Sequence, residues 1–383
     1  MPSAVERRER WRIVKAVAAA ICGAGMCLPT QVVDNDELVG RLDTSDEWIR
    51  SRTGIERRRK VEAGTSTGDL AVAAGRAALA SAGQSADFVL LATTTPDRPC
   101  PATAPEVAHR LGLEAVPALD VSAVCSGFVY GLAAACALVA AGICARPLVI
   151  GAEVYSSIID PLDRDTAVIF GDGAGAVLLR GASRGEPGAV HAVDLGSDGS
   201  GSDLIAVAAG GSRCPVPDGE LPRDQRYFRM RGREVFRHAV QRMTASSQVA
   251  LARAGWSSLS VRAFIGHQAN QRILDAVGDR LGIKGQYRFG NLAEVGNTAA
   301  ASIPLALADT LARGVVRPGE RSLLTAFGGG LTWGSIALTW PDVVPLHLPP
   351  EHRAAGQGAP VPVEVLVPQQ VPLQPWRVPT SLA

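Results

Sequence analysis

The chain has 383 residues, 47% hydrophobic, 20% charged and 5% aromatic, with a formal net charge of +1. That length buries a large core and suits two domains or one domain of two halves, while the near-neutral balance gives no global attraction to nucleic acid or an anionic membrane. Seven scattered cysteines with no Cys-x-x-Cys pair argue against a disulfide framework and a structural zinc site.

In chain order, residues 1–15 carry charges of both signs and lead into an apolar run over 16–29 without the shape of a cleavable leader, so a core strand is expected at 16–22. The expectation is a cytoplasmic protein with reduced thiols. A helix follows at 67–82, with Thr67 and Asp69 as capping residues. Then come a strand at 88–94, a helix at 103–111, a strand at 118–122 and a helix at 127–141. The uncharged stretch 121–145 is long enough to span a bilayer. It consists mostly of Ala, Gly, Ser and Cys and is closed by Asp120 and Arg146, so the pattern favours a strand end followed by a fully buried central helix. Further strands are expected at 147–151, 166–170, 176–179, 263–266, 323–326 and 335–339, and further helices at 232–254, 271–281 and 299–313. Such alternation defines an α/β protein.

The chain also echoes itself. Ile169-Phe170-Gly171-Asp172-Gly173 leads into an apolar strand, and Ala326-Phe327-Gly328-Gly329-Gly330 leads into another. Two related halves, meeting near residues 180–190 and packed helix against helix at the centre, account for this repeat. The division is an extension (1–12), a first half (13–183), a second half (184–340) and a tail (341–383). The tail holds ten Pro in 43 residues. It reads as a solvated, polyproline-like segment, or alternatively as an arm that wraps the body or docks a partner through residues 363–367 and Trp376.

Three residues draw attention chemically. Cys125 stands where a strand runs into a helix through small residues, near backbone N–H groups and the positive end of a helix dipole that favours thiolate. His267 and Asn297 interrupt other apolar passages of this kind, in the second half, where unpaired polar groups are costly. Cys136 and Cys144 read as packing. Gly171-Asp172-Gly173-Ala174-Gly175 precedes a strand and not a helix, which removes a dinucleotide-loop reading and makes Asp172 a turn residue.

Six motifs, in order, resemble the β-ketoacyl-acyl-carrier-protein synthase III family of the thiolase superfamily. They are Thr44-Ser45-Asp46-Glu47-Trp48-Ile49 with Arg52-Thr53-Gly54-Ile55, the Cys125 segment, Phe170-Gly171-Asp172-Gly173, His267-Gln268-Ala269-Asn270, Gly296-Asn297-Thr298, and Ala326-Phe327-Gly328-Gly329-Gly330 with Trp333-Gly334, spanning about residues 13–340. The resemblance implies a five-layered αβαβα fold, a homodimer and a catalytic Cys125, His267 and Asn297. It places the amides of Cys125 and Gly329 in an oxyanion hole. Trp48, Arg52, Arg164 and Asn270 would hold coenzyme A, Cys100 and Phe327 would wall the acyl pocket, and Arg237 and Arg272 would dock an acyl carrier protein. No permanent cofactor and no metal are implied; coenzyme A or phosphopantetheine thioesters are the substrates.

One departure concerns Cys100, a small residue where family members commonly place a bulky aromatic in the wall contributed across the dimer, which predicts an acyl group larger than acetyl. Residues 208–225 form a Gly- and Pro-rich loop that either shapes the pocket mouth or is a surface excursion. Three functions compete: decarboxylating condensation with a malonyl thioester, condensation-free acyl transfer to a hydroxyl, amine or carrier protein in natural-product biosynthesis, and a silent scaffold. The intact trio of residues favours the first.

Overall fold

A computed structural model describes residues 18–216 and 221–350. In chain order the strands are β1 (Ala18–Cys27), β2 (Gln31–Asp34), β3 (Arg57–Lys60), β4 (Phe88–Ala92), β5 (Ala118–Val121), β6 (Pro147–Glu153), β7 (Gly173–Ala182), β8 (Val190–Ser197), β9 (Ile205–Ala206), β10 (Arg229–Met230), β11 (Ala263–Gly266), β12 (Arg321–Gly328), β13 (Thr332–Thr339) and β14 (Leu346–His347). One sheet has the order β14-β1-β7-β6-β4-β5 and the other β11-β12-β13-β8. Within the first, β4 and β6 pair in parallel, β6 and β7 antiparallel, and β7 and β1 antiparallel. Within the second, β11–β12, β12–β13 and β13–β8 repeat that run of parallel, antiparallel and antiparallel. The sequence echo is therefore a repeat of topology.

Burial explains the layering. Strands β4 and β6 are buried throughout and read as continuous apolar runs, as strands covered on both faces must. The helices Gly127–Ala140 and Ser302–Ala312 lie between the sheets and touch strands of both. Outside the first sheet lies Thr67–Ala82, and outside the second lie Gly232–Ala254 and Gln271–Arg280, giving five layers. Close approach depends on small residues: a Cβ on Gly25 of β1 would stand 2.6 Å from the Ala77 methyl, and one on Gly175 would stand 2.7 Å from the Pro304 carbonyl carbon. The Thr67–Ala82 helix starts on a reciprocal capping box between Ser66 and Asp69, one residue before the expected cap, and stops at Gly83 with φ of 60°.

Two expectations are corrected and one strand is added. Residues 166–170 are not a strand, because Asp163 caps a short helix, Arg164–Ala167, by accepting from the Asp165 amide and the Thr166 hydroxyl. That local bond competes with sheet pairing, and only Phe170 makes a bridge, to Asn297. Strand β8, half-buried along much of its length, was not anticipated. The segment after Pro341 is not simply solvated: β14 pairs in parallel with Gly25 and Met26 of β1, and Leu348 N–H donates to the Met26 carbonyl. Residues 363–367, Trp376 and the extension 1–12 lie outside the described residues. Among those described, no helix is long and apolar enough to cross a membrane.

Candidate active site

The two central helices begin in the same way. Residue Val124 has φ of 46° and opens a 3-10 turn, Val124–Ser126, before Gly127–Ala140; Ala299 has φ of 45° and opens Ala299–Ala301 before Ser302–Ala312. A left-handed conformation costs a non-glycine residue about 1–2 kcal/mol, more awkwardly when it is β-branched, so neighbours must hold these turns. At the first, the Ser126 hydroxyl donates to Thr332 Oγ1 at 2.8 Å and Thr332 donates to the Gly329 carbonyl at 2.9 Å. A Cβ on Gly328 would stand 2.9 Å from the Cys125 amide nitrogen. Only glycine lets this backbone lie against the Cys125 amide.

The second turn carries the hydrogen-bonding groups. Backbone bonds from Asn297 N to the Ile169 carbonyl and from Gly171 N to the Asn297 carbonyl clamp Asn297 beside Phe170. Its Oδ1 accepts from the Ala299 amide at 2.9 Å, which leaves the Nδ2 end as the donor. Buried His267 follows β11, its Nδ1 2.7 Å from Ser302 Oγ, and that hydroxyl also accepts from the Gln268 amide at 3.3 Å. The Val124–Ser126 and Ala299–Ala301 turns touch, and Cys125 and Ala299 share one apolar cluster.

Electrostatics overturn one expectation. Burial, reinforced by the Glu153 charge, pushes the Cys125 thiol well above its ordinary value despite the helix N-terminus, so the resting group is a thiol. Burial lowers His267 to about 3, keeping the imidazole neutral. Glu153, at the end of β6, is fully buried and raised by that burial to about 7. It accepts from the Thr94 amide at 3.0 Å, the Thr95 hydroxyl at 2.7 Å and the Thr93 hydroxyl at 3.4 Å, and it is hydrogen-bonded to the Ala300 backbone.

Around Cys125 packs an apolar cluster including Tyr155, Ile159, Val168, Phe170 and Phe228. Phe327 sits elsewhere, in the cluster of Phe264, Val235 and Met243 on the outer side of the second sheet; Ile205 and Met230 border both clusters. Cys100 is exposed on a loop. Half-buried Trp48 carries the Arg164 guanidinium over its ring at 4.9 Å, and Arg164 donates to the Asp43 carbonyl. Asn270 caps Gln271–Arg280 through the Arg272 amide, and its Nδ2 donates to the carbonyl of exposed Arg52, so both ends of the amide are engaged within the chain. Arg237 and Arg272 are exposed on neighbouring outer helices, Arg272 lying over the Phe236 ring at 5.8 Å. Asp172 is a turn clamp, accepting from the Val61 and Ser156 amides and the Ser156 hydroxyl.

Sequence reasoning missed Glu153, Ser302, Tyr155, Ser126 and Thr332. Glu153 had a legible signal, a carboxylate closing the apolar run Pro147-Leu148-Val149-Ile150-Gly151-Ala152. The others are ordinary residue types whose importance arises only from what they touch.

A thiol at the head of one central helix, neutral hydrogen-bond donors at the head of the other, and two pseudo-repeated αβ layers define a thiolase-fold, acyl-transferring enzyme. Residues 119–199 match the profile for 3-oxoacyl-[acyl-carrier-protein] synthase III, and residues 251–340 the profile for its C-terminal part. The chain is 58% identical over 330 residues to the Streptomyces coelicolor protein named beta-ketoacyl-[acyl-carrier-protein] synthase III 2, covering 86% of this chain and 96% of the relative. Its structure is similar to crystal structures of 3-oxoacyl-(acyl carrier protein) synthase III from Pseudomonas aeruginosa (49% identity, TM-score 0.80, 86% and 100% of the two chains) and of a priming β-ketosynthase from a polyketide pathway (33%, TM-score 0.79, 85% and 96%). The chain belongs to the β-ketoacyl-[acyl-carrier-protein] synthase III family.

Proposed function

We propose that the enzyme takes an acyl group from a thioester onto Cys125 and condenses it with a malonyl thioester, releasing carbon dioxide. What supports this reading above all is the meeting of the Val124–Ser126 turn, which carries the thiol, with the Ala299–Ala301 turn, around which the Asn297 and His267 side chains are anchored. In the first step Cys125 Sγ attacks the acyl carbonyl while the amides of Cys125 and Gly329 receive the oxyanion; the thiol proton leaves on the departing thiol. In the second step Asn297 Nδ2 and the Nε2–H of His267 donate to the malonyl thioester carbonyl, so that decarboxylation gives an enolate that attacks the acyl carbon and expels the Cys125 sulfur as thiolate, which takes a proton from solvent to restore the thiol. The Ser302 hydroxyl, accepting from Gln268 and donating to Nδ1, keeps the proton on Nε2. Neutrality of His267 suits a donor to a growing negative charge.

Coenzyme A would lie against Trp48 and Arg164, near Arg52, which Asn270 supports. An acidic carrier protein would approach Arg237 and Arg272, near a surface hollow of about 410 Å³ that Arg237 and Arg280 line. In a homodimer of this chain, built from halves at 13–183 and 184–340, Cys100 would reach the partner's pocket; Phe327 would back the cluster around Cys125 through Ile205 and Met230.

The test is to load the protein with acyl-coenzyme A, add malonyl-carrier protein, and follow carbon dioxide and product mass. Release that needs Cys125, His267 and Asn297 is the expected result. A product lacking the malonyl carbons, formed only with an alcohol or amine, would replace condensation by simple transfer.

A further inference from the structure

Tyr155 is fully buried, yet among the described residues its hydroxyl has no hydrogen-bond partner. Most buried polar groups are paired, and each exception calls for a physical reason. The ring cannot swing away to find one. It stacks on Phe170 with centroids 4.5 Å apart and meets Phe228 edge-on at 5.4 Å. Its 3-10 turn is pinned by Asp172 bonds to the Ser156 amide and hydroxyl, and by the Ser157 hydroxyl on the Val154 carbonyl. Phe228 is fixed in turn by its amide on the Ile158 carbonyl and by the ion pairs of Arg223 and Arg229 with Asp160 and Asp163.

The phenol belongs to the same buried apolar cluster as Cys125, and Cys125 and Glu153 are the charged groups that act on it. Glu153 already has donors from Thr93, Thr94 and Thr95. On the proposed mechanism both reacting carbonyls have donors as well, the acyl carbonyl from the Cys125 and Gly329 amides and the malonyl carbonyl from Asn297 and His267. Tyr155 is a surplus donor in an otherwise apolar cluster, and on the proposed mechanism the group that must be accommodated beside Cys125 is the acyl chain.

We propose that the Tyr155 hydroxyl reads the acyl group, donating a hydrogen bond to an oxygen substituent on the acyl chain, so that hydroxy- or oxoacyl thioesters are preferred over their unsubstituted counterparts. This rests on Cys125 being the acylated residue. A pocket built to pair a polar group discriminates far better than one that merely makes room for it.

The experiment compares matched four-carbon donors, butyryl-, 3-hydroxybutyryl- and acetoacetyl-coenzyme A, in competition for the full chain, with the adduct read by intact-protein mass. Wild type is expected to favour the oxygenated donors. Tyr155→Phe keeps both ring contacts and should lose that preference by about tenfold or more, with butyryl loading unchanged or faster. An unaltered ratio in Tyr155→Phe, or an equal loss for every donor, overturns the proposal: the first leaves the phenol to a trapped water and the second makes it structural. Absence of any adduct on wild type, or an adduct that survives Cys125→Ala, removes the acyl-enzyme reading and this inference with it.

Discussion

The two turns that open the central helices share one backbone and divide the labour. Val124 and Ala299 hold the same left-handed φ, each begins a three-residue 3-10 turn, and neither turn has a side-chain cap. At the position after the strained residue one turn has Cys125 and the other Ala300. The first aims a thiol, and the second has an inert methyl and uses its amide on Glu153 while the flanking Asn297 and Ser302 orient donors. A duplicated backbone device thus presents a thiol in one half and hydrogen-bonding groups in the other through few side-chain differences, with the same strain kept in both.

The sharpest way to break this contrast is to put a charge among the donors. Asn297→Asp should lower condensation by roughly 10²–10³-fold, the scale of losing a preorganised donor, while acyl loading on Cys125 persists; equal loss of both steps would show that the turns are not separable. Ser302→Ala should cost condensation roughly tenfold by freeing the imidazole tautomer, with loading little affected and the pH profile of condensation altered.

Glu153 links the turns, and Glu153→Gln should sharpen the comparison. Because the carboxylate charge helps to raise the Cys125 thiol, its removal should lower the thiol pKa and speed alkylation by iodoacetamide at pH 7. The fold holds the Glu153 proton up to about pH 7 against an ordinary 4.5. Its contribution to stability is therefore full below about pH 4.5 and is lost as pH rises through about 7, so wild-type stability relative to Glu153→Gln should decline across that window. Denaturant midpoints measured at intervals of pH would show the slope or its absence.

The smallest effect concerns strain alone. Ala299→Gly should stabilise by about 1 kcal/mol or less by relieving the left-handed conformation. Val124→Gly should not, because the Val124 side chain packs against the Cys125 cluster and its burial is lost. A gain at both positions would mean that backbone strain outweighs the packing of Val124 and that the two turns do not differ in this respect.

Much of this was legible before any coordinates. The ends of the helices Thr67–Ala82 and Gly232–Ala254 and of β11 fall where residue pattern and punctuation put them. The motifs around Cys125, His267 and Asn297 named the family because glycines and small residues at fixed positions are demanded by backbone contacts such as that of Gly328 with the Cys125 amide. Illegible were the relations between distant residues. The helix end suggested a thiolate, yet depth of burial and the Glu153 charge decide otherwise, and neither can be read from the residues next to Cys125. The bond from Asn270 to the Arg52 carbonyl joins segments far apart in the chain. The packing of Phe327 with Phe264, Val235 and Met243 depends on the side of β12 on which it falls.

The chain leaves the second sheet at Thr339 and returns seven residues later to the exposed border of the first, where Leu346 and His347 hydrogen-bond alongside Gly25 and Met26 and the Ser81 hydroxyl donates to the Val344 carbonyl. This belt does two things at once. It covers a strand border that would otherwise invite another molecule to add on, a recognised route to aggregation. It also straps the two lobes together, so that melting of either strips the other of a border strand or its footing, and both are expected to come apart in one cooperative transition.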